Sequence, residues 1–257
     1  MISSTSNPRV KWVRGLQSQR RQRQTEGQFV AEGFRWAGEF LSANRAPVAV
    51  FHTDHLNPQE RGVVNRLASL GAAIEVVSDE VMAAMSDTQA PQAILLVAEI
   101  PELPAPDPVG LAVIADQLSD PGNLGTLLRT CLAARVDVLY LTEGSVDPYN
   151  PKVVRGAMGA QLHLCLRQVR LDQLAGQLEG LQSWLAETDM GLDYLQVDWR
   201  QPTALLIGSE AHGARPALRQ MADGLTHIPI SGPSDSLNAA VAAAVILFEI
   251  RRQRSTA

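Results

Sequence analysis

Three polar segments, each directly after an apolar run, hold the side chains best suited to chemistry. The first runs from Asp116 to Arg129 through a Pro-Gly turn, the second from Gly208 to Gly213, and the third from Ile228 to Asn238. Each apolar run predicts a buried strand, and in open α/β sheets ligands bind beyond the carboxyl ends of the strands. The sequence therefore predicts a ligand site built from these three segments.

The first segment predicts a place for an anion. Arg129 follows Gly125 by four residues, so both lie on one face of a predicted helix. Because side chains tilt toward the helix N-terminus, Arg129 can reach over the surface that Gly125 leaves bare. A guanidinium beside free main-chain N–H groups suits a phosphate oxygen. The alternative is a turn capped by a polar residue, with Arg129 paired to a surface carboxylate, and the spacing leaves both open.

The second and third segments add one carboxylate and one amide. Glu210 lies between Gly208 and Gly213, where tight turns bring the backbone close to a ligand. It can accept a hydrogen bond there, although a solvated loop acid is an ordinary alternative. In the third segment Ser236 is predicted to cap the last helix. A capped helix that packs in the core is the alternative interpretation of this segment, and it accounts for every residue except Asn238, whose amide it does not require.

A proline-rich segment divides the chain into two predicted domains. Four prolines fall within residues 101–108, and they exclude a helix or a central strand, so a linker is expected. Residues 1–100 alternate short β-branched runs with helical patterns, which predicts a small α/β domain. Residues 109–257 alternate apolar strands with helices, which predicts a mostly parallel sheet. The predicted elements there include helices over about 123–134, 171–181 and 236–252, and strands at Leu111–Ala115 and Leu162–Cys165.

The charge of the chain is unevenly distributed. The formal net charge is −5, which by itself argues against a nucleic-acid partner. Residues 1–25, however, contain no acid and six basic residues: Arg9, Lys11, Arg14, Arg20, Arg21 and Arg23. This basic arm predicts either contact with a nucleic acid or a solvated tail, part of which forms a short helix around Pro8–Gln17.

Several classes of protein are excluded by the motifs that the sequence lacks. Cys131 and Cys165 show neither C-x-x-C nor zinc-ligand spacing, and the five histidines show no metal-ligand spacing either, so no metal site and a reducing, cytoplasmic compartment are expected. The longest apolar run, Ala239–Phe248, is too short to span a bilayer. The motifs typical of dinucleotide oxidoreductases, P-loop NTPases, zinc peptidases and serine hydrolases do not occur.

Taken together, the three segments resemble the SpoU (TrmH-type) family of RNA ribose 2′-O-methyltransferases in the SPOUT superfamily. The resemblance covers about residues 110–254. The family pattern N-x-G-x-x-x-R is met by Asn123, Gly125 and Arg129, G-x-E-x-x-G by Gly208, Glu210 and Gly213, and I-P…S-L-N by Ile228, Pro229, Ser236, Leu237 and Asn238. Residues 1–97 resemble the substrate-binding domain of the family, with S-x-x-N-P-x-x-K at Ser4–Lys11 and F-x-x-E-G at Phe29–Gly33.

The resemblance implies an α/β domain with a C-terminal trefoil knot, S-adenosylmethionine as cofactor, no metal, and a homodimer formed through the C-terminal domain. The catalytic residues that it implies are Asn123, Arg129, Glu210, Ser236 and Asn238. The implied cofactor-binding residues are Gly208, Gly213, Ile228, Pro229 and Leu237. The expected RNA contacts are Arg9, Lys11, Arg20, Arg21, Arg23, Lys152 and Arg155.

The resemblance leaves the substrate open between ribosomal RNA, which the extra N-terminal domain favours by analogy, and transfer RNA. A catalytically silent RNA-binding or assembly factor is the alternative from another class of protein, and a methyltransferase with an unknotted cofactor fold is a remote third. Ala157 stands where many members of the family have serine, and Arg135 replaces a usual glycine. These departures bear on the choice of target more than on activity.

Overall fold

The computed structural model describes residues 1–209, 212–232 and 236–255, and its contacts divide the chain into two compact units. The first unit comprises Met1–Pro101 and Asp147–Leu162, and the second comprises Glu102–Val146 and His163–Ala257. Except for Pro101, the proline-rich segment belongs to the second unit, where Leu103 packs against the core and accepts a hydrogen bond at 2.6 Å from Arg167.

Helices and strands are numbered along the whole chain. The helices are α1 (Pro8–Ser18), α2 (Arg20–Glu26), α3 (Phe34–Ser42), α4 (Pro58–Ser69), α5 (Asp79–Met85), α6 (Pro121–Ala133), α7 (Pro151–Ala157), α8 (Pro216–Gln220) and α9 (Ala239–Ser255). The strands are β1 (Gln28–Glu32), β2 (Ala49–His52), β3 (Ala73–Val76), β4 (Ile94–Glu99), β5 (Leu111–Ala115), β6 (Val138–Thr142), β7 (Cys165–Val169), β8 (Gln182–Glu187), β9 (Leu192–Asp193), β10 (Thr203–Ile207) and β11 (Gly224–His227).

The first unit is built on a four-stranded sheet in the order β1-β4-β2-β3. Strands β1 and β2 pair antiparallel with β4, and β2 pairs parallel with β3. Helices α1 and α5 bury apolar side chains, among them Val13, Leu16 and Met82, against this sheet. The basic arm is thus helical: Asn7 caps α1 by accepting the amide of Arg9 at 2.8 Å, and α2 follows directly.

The segment Asp147–Leu162 joins the first unit, although it lies between strands of the second unit in sequence. Asp147 binds the guanidinium of Arg23, and the ring of Tyr149 packs 5.1 Å from that of Phe29. The boundaries expected at residues 100 and 109 assign this segment to the second domain. The difference arises because the partners of Asp147 and Tyr149 are more than a hundred residues away in the chain.

The second unit confirms the predicted α/β fold with its mostly parallel sheet. Seven strands are ordered β7-β6-β5-β10-β8-β11-β9, and the strand pairs in the described part of this sheet are parallel. Helices α6 and α9 pack on each other. Their buried stripes include Leu124, Leu128, Ile246 and Ile250. The trefoil knot stays a prediction.

Two local predictions for the second domain are wrong. The helix expected over 171–181 is instead two short 3₁₀ turns, Leu171–Gln173 and Ala175–Gln177. Glycines at 176 and 180 disfavour a continuous helix, and Gly180 adopts φ +80°. The strand expected at Leu162–Cys165 begins at its last residue, because the preceding residues Ala160–Leu162 form a 3₁₀ turn. No helix in the described ranges is long and apolar enough to cross a bilayer.

Candidate active site

A cavity of about 610 Å³ opens at the carboxyl ends of β8, β10 and β11, next to the first residues of α6 and α9. All three polar segments of the sequence contribute to its lining. The predicted site residues that line it are Asn123, Gly208, Gly213, Ile228, Ser236, Leu237 and Asn238. Parallel strands place their carboxyl ends at one edge of the sheet, so segments more than a hundred residues apart meet there.

The two asparagines join the helices at the mouth of the cavity. The side-chain amide of Asn238 donates to the side-chain oxygen of Asn123 at 2.8 Å. The same Asn238 side chain accepts the amides of Ala240 and Val241 at 3.0 and 3.2 Å, so Asn238 caps α9. Ser236 was expected in that role, and this expectation is wrong, because the helix begins at Ala239. Asn238 therefore caps α9 and also links the start of α9 to α6 through its hydrogen bond with Asn123.

Gly208 ends β10 where the chain folds back on itself. The backbones of Ser209 and Gly213 exchange two hydrogen bonds at 2.9 Å. A Cβ on Gly208 would lie 2.5 Å from the main-chain nitrogen of Ala214, so only glycine allows this approach. Glu210 lies outside the described residues.

A buried ion pair anchors the chain that leaves this turn. Arg215 donates to Asp116 through Nε at 2.9 Å and through Nη2 at 2.5 Å, and it also donates to Glu143 at 2.9 Å. Asp116 is fully buried at the end of β5, and it also accepts the hydroxyl of Thr142 at 2.5 Å. Hydrogen bonding to Asp116 raises the pKa of Arg215, so its charge persists. Sequence reasoning missed Arg215, since nothing local identifies its partner.

Comparison with known proteins identifies the second unit. Residues 110–248, which are more than half of the chain, match the model of the SpoU rRNA methylase family. The chain belongs to this family. Residues 7–96 match the model of the MRM3-like substrate binding domain, so the family region and the substrate-binding region follow each other along the chain.

Relatives of this SpoU methylase resemble it over nearly its whole length. It is 32% identical to an uncharacterized tRNA/rRNA methyltransferase of Synechocystis, over 98% of this chain and 94% of the relative. It is 30% identical to the 23S rRNA guanosine 2′-O-methyltransferase RlmP of Bacillus subtilis, over 97% and 98%. The crystal structure of an AdoMet-bound rRNA methyltransferase from Sinorhizobium meliloti superposes with a TM-score of 0.86 at 29% identity, covering 98% of this chain and 97% of that one.

Two predicted residues lie outside the lining of the cavity. Pro229 is exposed and does not contribute to the lining. Arg129 lies on the exposed face of α6, six residues after Asn123, which is about 9 Å along the helix axis. Among the residues that the structure describes, no carboxylate pairs with Arg129, so its charge is available to a bound molecule.

The cavity of this SpoU methylase has a further wall that sequence reasoning missed. Ala186, Glu187 and Thr188 line it at the end of β8, and Arg219 holds the Glu187 carboxylate at 2.5 Å. The sequence offers one indication that these residues belong to the site, which is that they directly follow an apolar run. Within residues 1–209, 212–232 and 236–255, no group of His, Cys, Asp or Glu side chains is arranged to hold a metal ion.

The expected RNA contacts of the first unit fall into two groups. Arg23 is 3% exposed, with its guanidinium bound to Asp147 and to the carbonyl of Leu16. Arg9 binds Glu75 and stacks over the ring of Trp12 at 4.3 Å. Arg23 therefore supports the fold, which corrects its expected role, whereas the side chain of Arg9 is 39% exposed and its role as an RNA contact stays a prediction. The members of the exposed group are Lys11, Arg20, Arg21, Lys152 and Arg155.

Proposed function

We propose that this chain uses S-adenosylmethionine to methylate a ribose 2′-hydroxyl in ribosomal RNA. The observation that carries the proposal is the cavity where all three family segments meet, with Asn123 bonded to Asn238 at its mouth. The match to an rRNA methylase family supports the same activity, as does a relative named as a 23S rRNA 2′-O-methyltransferase.

The lining of the cavity suits a nucleoside cofactor with a polar tail. Its volume of about 610 Å³ lies within the usual range for small-molecule sites. Ile228, Leu237 and Ile246 give an apolar wall against which a purine ring can pack. Ser209 and Thr188 give polar groups, and Gly208 leaves main-chain groups accessible. When bound, S-adenosylmethionine supplies a methyl group made electrophilic by its positively charged sulfur.

The residues of the chain must position the hydroxyl and stabilise its ionised form. We assign the second task to Arg129, because a guanidinium stays protonated and cannot act as a base at neutral pH. It acts instead by lowering the pKa of the ribose hydroxyl and by binding the adjacent phosphate. Asn123 and Asn238 hold the start of α6 against the start of α9, so they position the helix that carries Arg129. Glu210 and Ser236 remain proposed members of this set.

The first unit is proposed to bind the RNA substrate. The matched substrate-binding model supports this role, and so does the exposure of Lys11, Arg20, Arg21, Lys152 and Arg155. Phosphate contacts of this kind give affinity without sequence selection. Arg23 is left out of the proposal because its buried guanidinium is already paired, whereas Arg9 stays in it because its pair with Glu75 is partly exposed.

A homodimer formed through the second unit is also proposed. Val241 and Phe248 lie seven residues apart on one face of α9 and are 46% and 53% exposed. An apolar stripe of this kind on a packed helix indicates an interface.

A cytoplasmic location is proposed as well, since Cys131 and Cys165 are free thiols, which suits a reducing compartment.

The substitution Arg129→Ala tests the proposed chemistry. We expect methyl transfer to ribosomal RNA to fall about 100- to 1,000-fold, the usual effect of removing one electrostatic stabiliser, while the calorimetric affinity for S-adenosylmethionine stays unchanged. Arg200→Ala is the control, because Arg200 is exposed and binds only its neighbour Asp198 in the described structure. Near-normal transfer by the Arg129 variant would contradict the assigned role. A wild-type chain without cofactor affinity would instead favour the silent RNA-binding factor.

A further inference from the structure

A groove of about 520 Å³ crosses the first unit between helices α1 and α5. One wall comes from α1 and the start of α2, and the other from Ala84, Met85, Ser86 and Asp87 at the end of α5. All of these residues lie in one compact unit, so the groove does not depend on the second unit. It is distinct from the cavity described above.

One wall of the groove carries unpaired positive charge. Lys11, Arg14 and Ser18 follow each other at helical spacing along α1 and are exposed. In the part of the chain that the structure describes, neither Lys11 nor Arg14 forms an ion pair. This sets them apart from Arg9 and Arg23, whose partners are Glu75 and Asp147. Two adjacent unpaired cations along one wall suit the phosphates of a nucleic-acid strand.

Hydrogen-bond acceptors lie on both sides of the groove, at Gln17 on α1 and at the end of α5. Gln17 donates its side-chain amide to the carbonyl of Met85 at 3.3 Å, while its side-chain oxygen is buried and has no partner among the described residues. Helix α5 ends here, and the carbonyls of its last turn lack partners within the helix. A buried acceptor without a donor is unfavourable, so the groove favours a ligand that brings an N–H or O–H group to Gln17.

The groove continues toward a third cation. Gln17 and Asp87 also line a small neighbouring cavity, together with Arg155. Arg155 donates to Asp87 at 3.3 Å, and both side chains are about half exposed. Such an exposed pair exchanges its partner for a phosphate at little cost. Lys11, Arg14 and Arg155 therefore line two cavities that share Gln17 and Asp87.

A ligand that combines phosphates with N–H and O–H donors is a nucleotide strand. We propose that this groove binds a single-stranded segment of the substrate RNA, with phosphates at Lys11 and Arg14 and a base amino group or ribose hydroxyl at Gln17. Only an unpaired strand can turn its base edges toward such a wall. The proposal rests on the proposed function, because it gives the RNA a place on the first unit.

The test measures binding of a fluorescently labelled, mixed-sequence 12-nucleotide RNA to the full chain at several salt concentrations. The double variant Lys11→Gln/Arg14→Gln removes both cations. Arg61→Gln/Arg66→Gln on α4 is the matched control, since both of its arginines are exposed and the net charge changes equally. We expect the groove variant to bind at least tenfold more weakly and to reduce the slope of log affinity against log salt by about 1.4, which corresponds to two phosphate contacts. The control should match the wild type.

A third variant separates hydrogen bonding from charge. Gln17→Met keeps the length of the side chain but removes the acceptor, so we expect weaker RNA binding with an unchanged salt slope. Circular dichroism verifies that each variant is folded.

Equal affinity and slope in the groove and α4 variants would overturn the proposal, and so would binding of the matching duplex as tightly as the single strand. Methyl transfer to ribosomal RNA is measured on the same samples. Active wild-type enzyme with an unaffected groove variant would refute the groove and leave the proposed function intact.

Discussion

The role of each arginine in this chain depends on whether the fold pairs it with a carboxylate. Arg23 and Arg215 are bound to Asp147 and Asp116, which lie 124 and 99 residues away in the chain. Arg14 and Arg129 have exposed guanidinium groups. The sequence predicted a basic arm and one reactive arginine, but it could not separate bound from unbound charges, because the separation depends on contacts between distant residues.

Replacing Arg23 tests its structural role. Arg23→Ala would leave the Asp147 carboxylate buried without its ion-pair partner, and breaking a buried pair from one side costs about 3–5 kcal/mol. We expect the free energy of unfolding in urea to fall by that amount. Arg21→Ala, an exposed neighbour, should change it by less than about 0.5 kcal/mol. Equal effects of the two substitutions would contradict the role assigned to Arg23.

At the scale of helices and strands, hydrophobic pattern predicted most of the second unit. Strand β5 spans the predicted residues Leu111–Ala115, and α6 begins two residues before its predicted start. The errors arise where local chemistry opposes the element that the hydrophobic pattern predicts. From Leu171 onward, two short 3₁₀ turns form in place of the predicted helix, because the glycines there disfavour a helix. Asn238 rather than Ser236 caps α9, because the Asn238 side chain accepts two main-chain amides.

The exposed face of α9 carries the test of the proposed dimer. Val241→Asp/Phe248→Asp places two charges on the apolar face, and burying unpaired charges in an interface is strongly unfavourable. We expect light scattering to report a dimer for the wild type and a monomer for this variant. Leu192→Asp/Leu195→Asp is the matched control, since these leucines are 46% and 56% exposed elsewhere on the second unit. A monomeric wild type, or a dimer in both variants, would contradict the interface.

At the scale of the whole molecule, the net charge of −5 hides an uneven distribution of charged residues between the two units. The exposed cations Lys11, Arg14 and Arg155 lie on the first unit, whereas the described lining of the cavity in the second unit holds two carboxylates, Asp120 and Glu187, and no lysine or arginine. The candidate site followed from the sequence because three recognisable segments each end a strand. The groove did not, because it requires α1 and α5, whose contact is tertiary.

The central claim is that the product of this enzyme is methylated on ribose. The direct measurement incubates the full chain with methyl-labelled S-adenosylmethionine and, in parallel samples, ribosomal RNA or transfer RNA, hydrolyses the RNA in alkali, and identifies the labelled product. Alkaline cleavage needs a free 2′-hydroxyl, so a 2′-O-methyl group leaves the adjacent bond intact. We expect the label in an alkali-stable dinucleotide that yields a 2′-O-methylnucleoside. Label in a methylated base, in transfer RNA alone, or in no RNA at all would contradict the account.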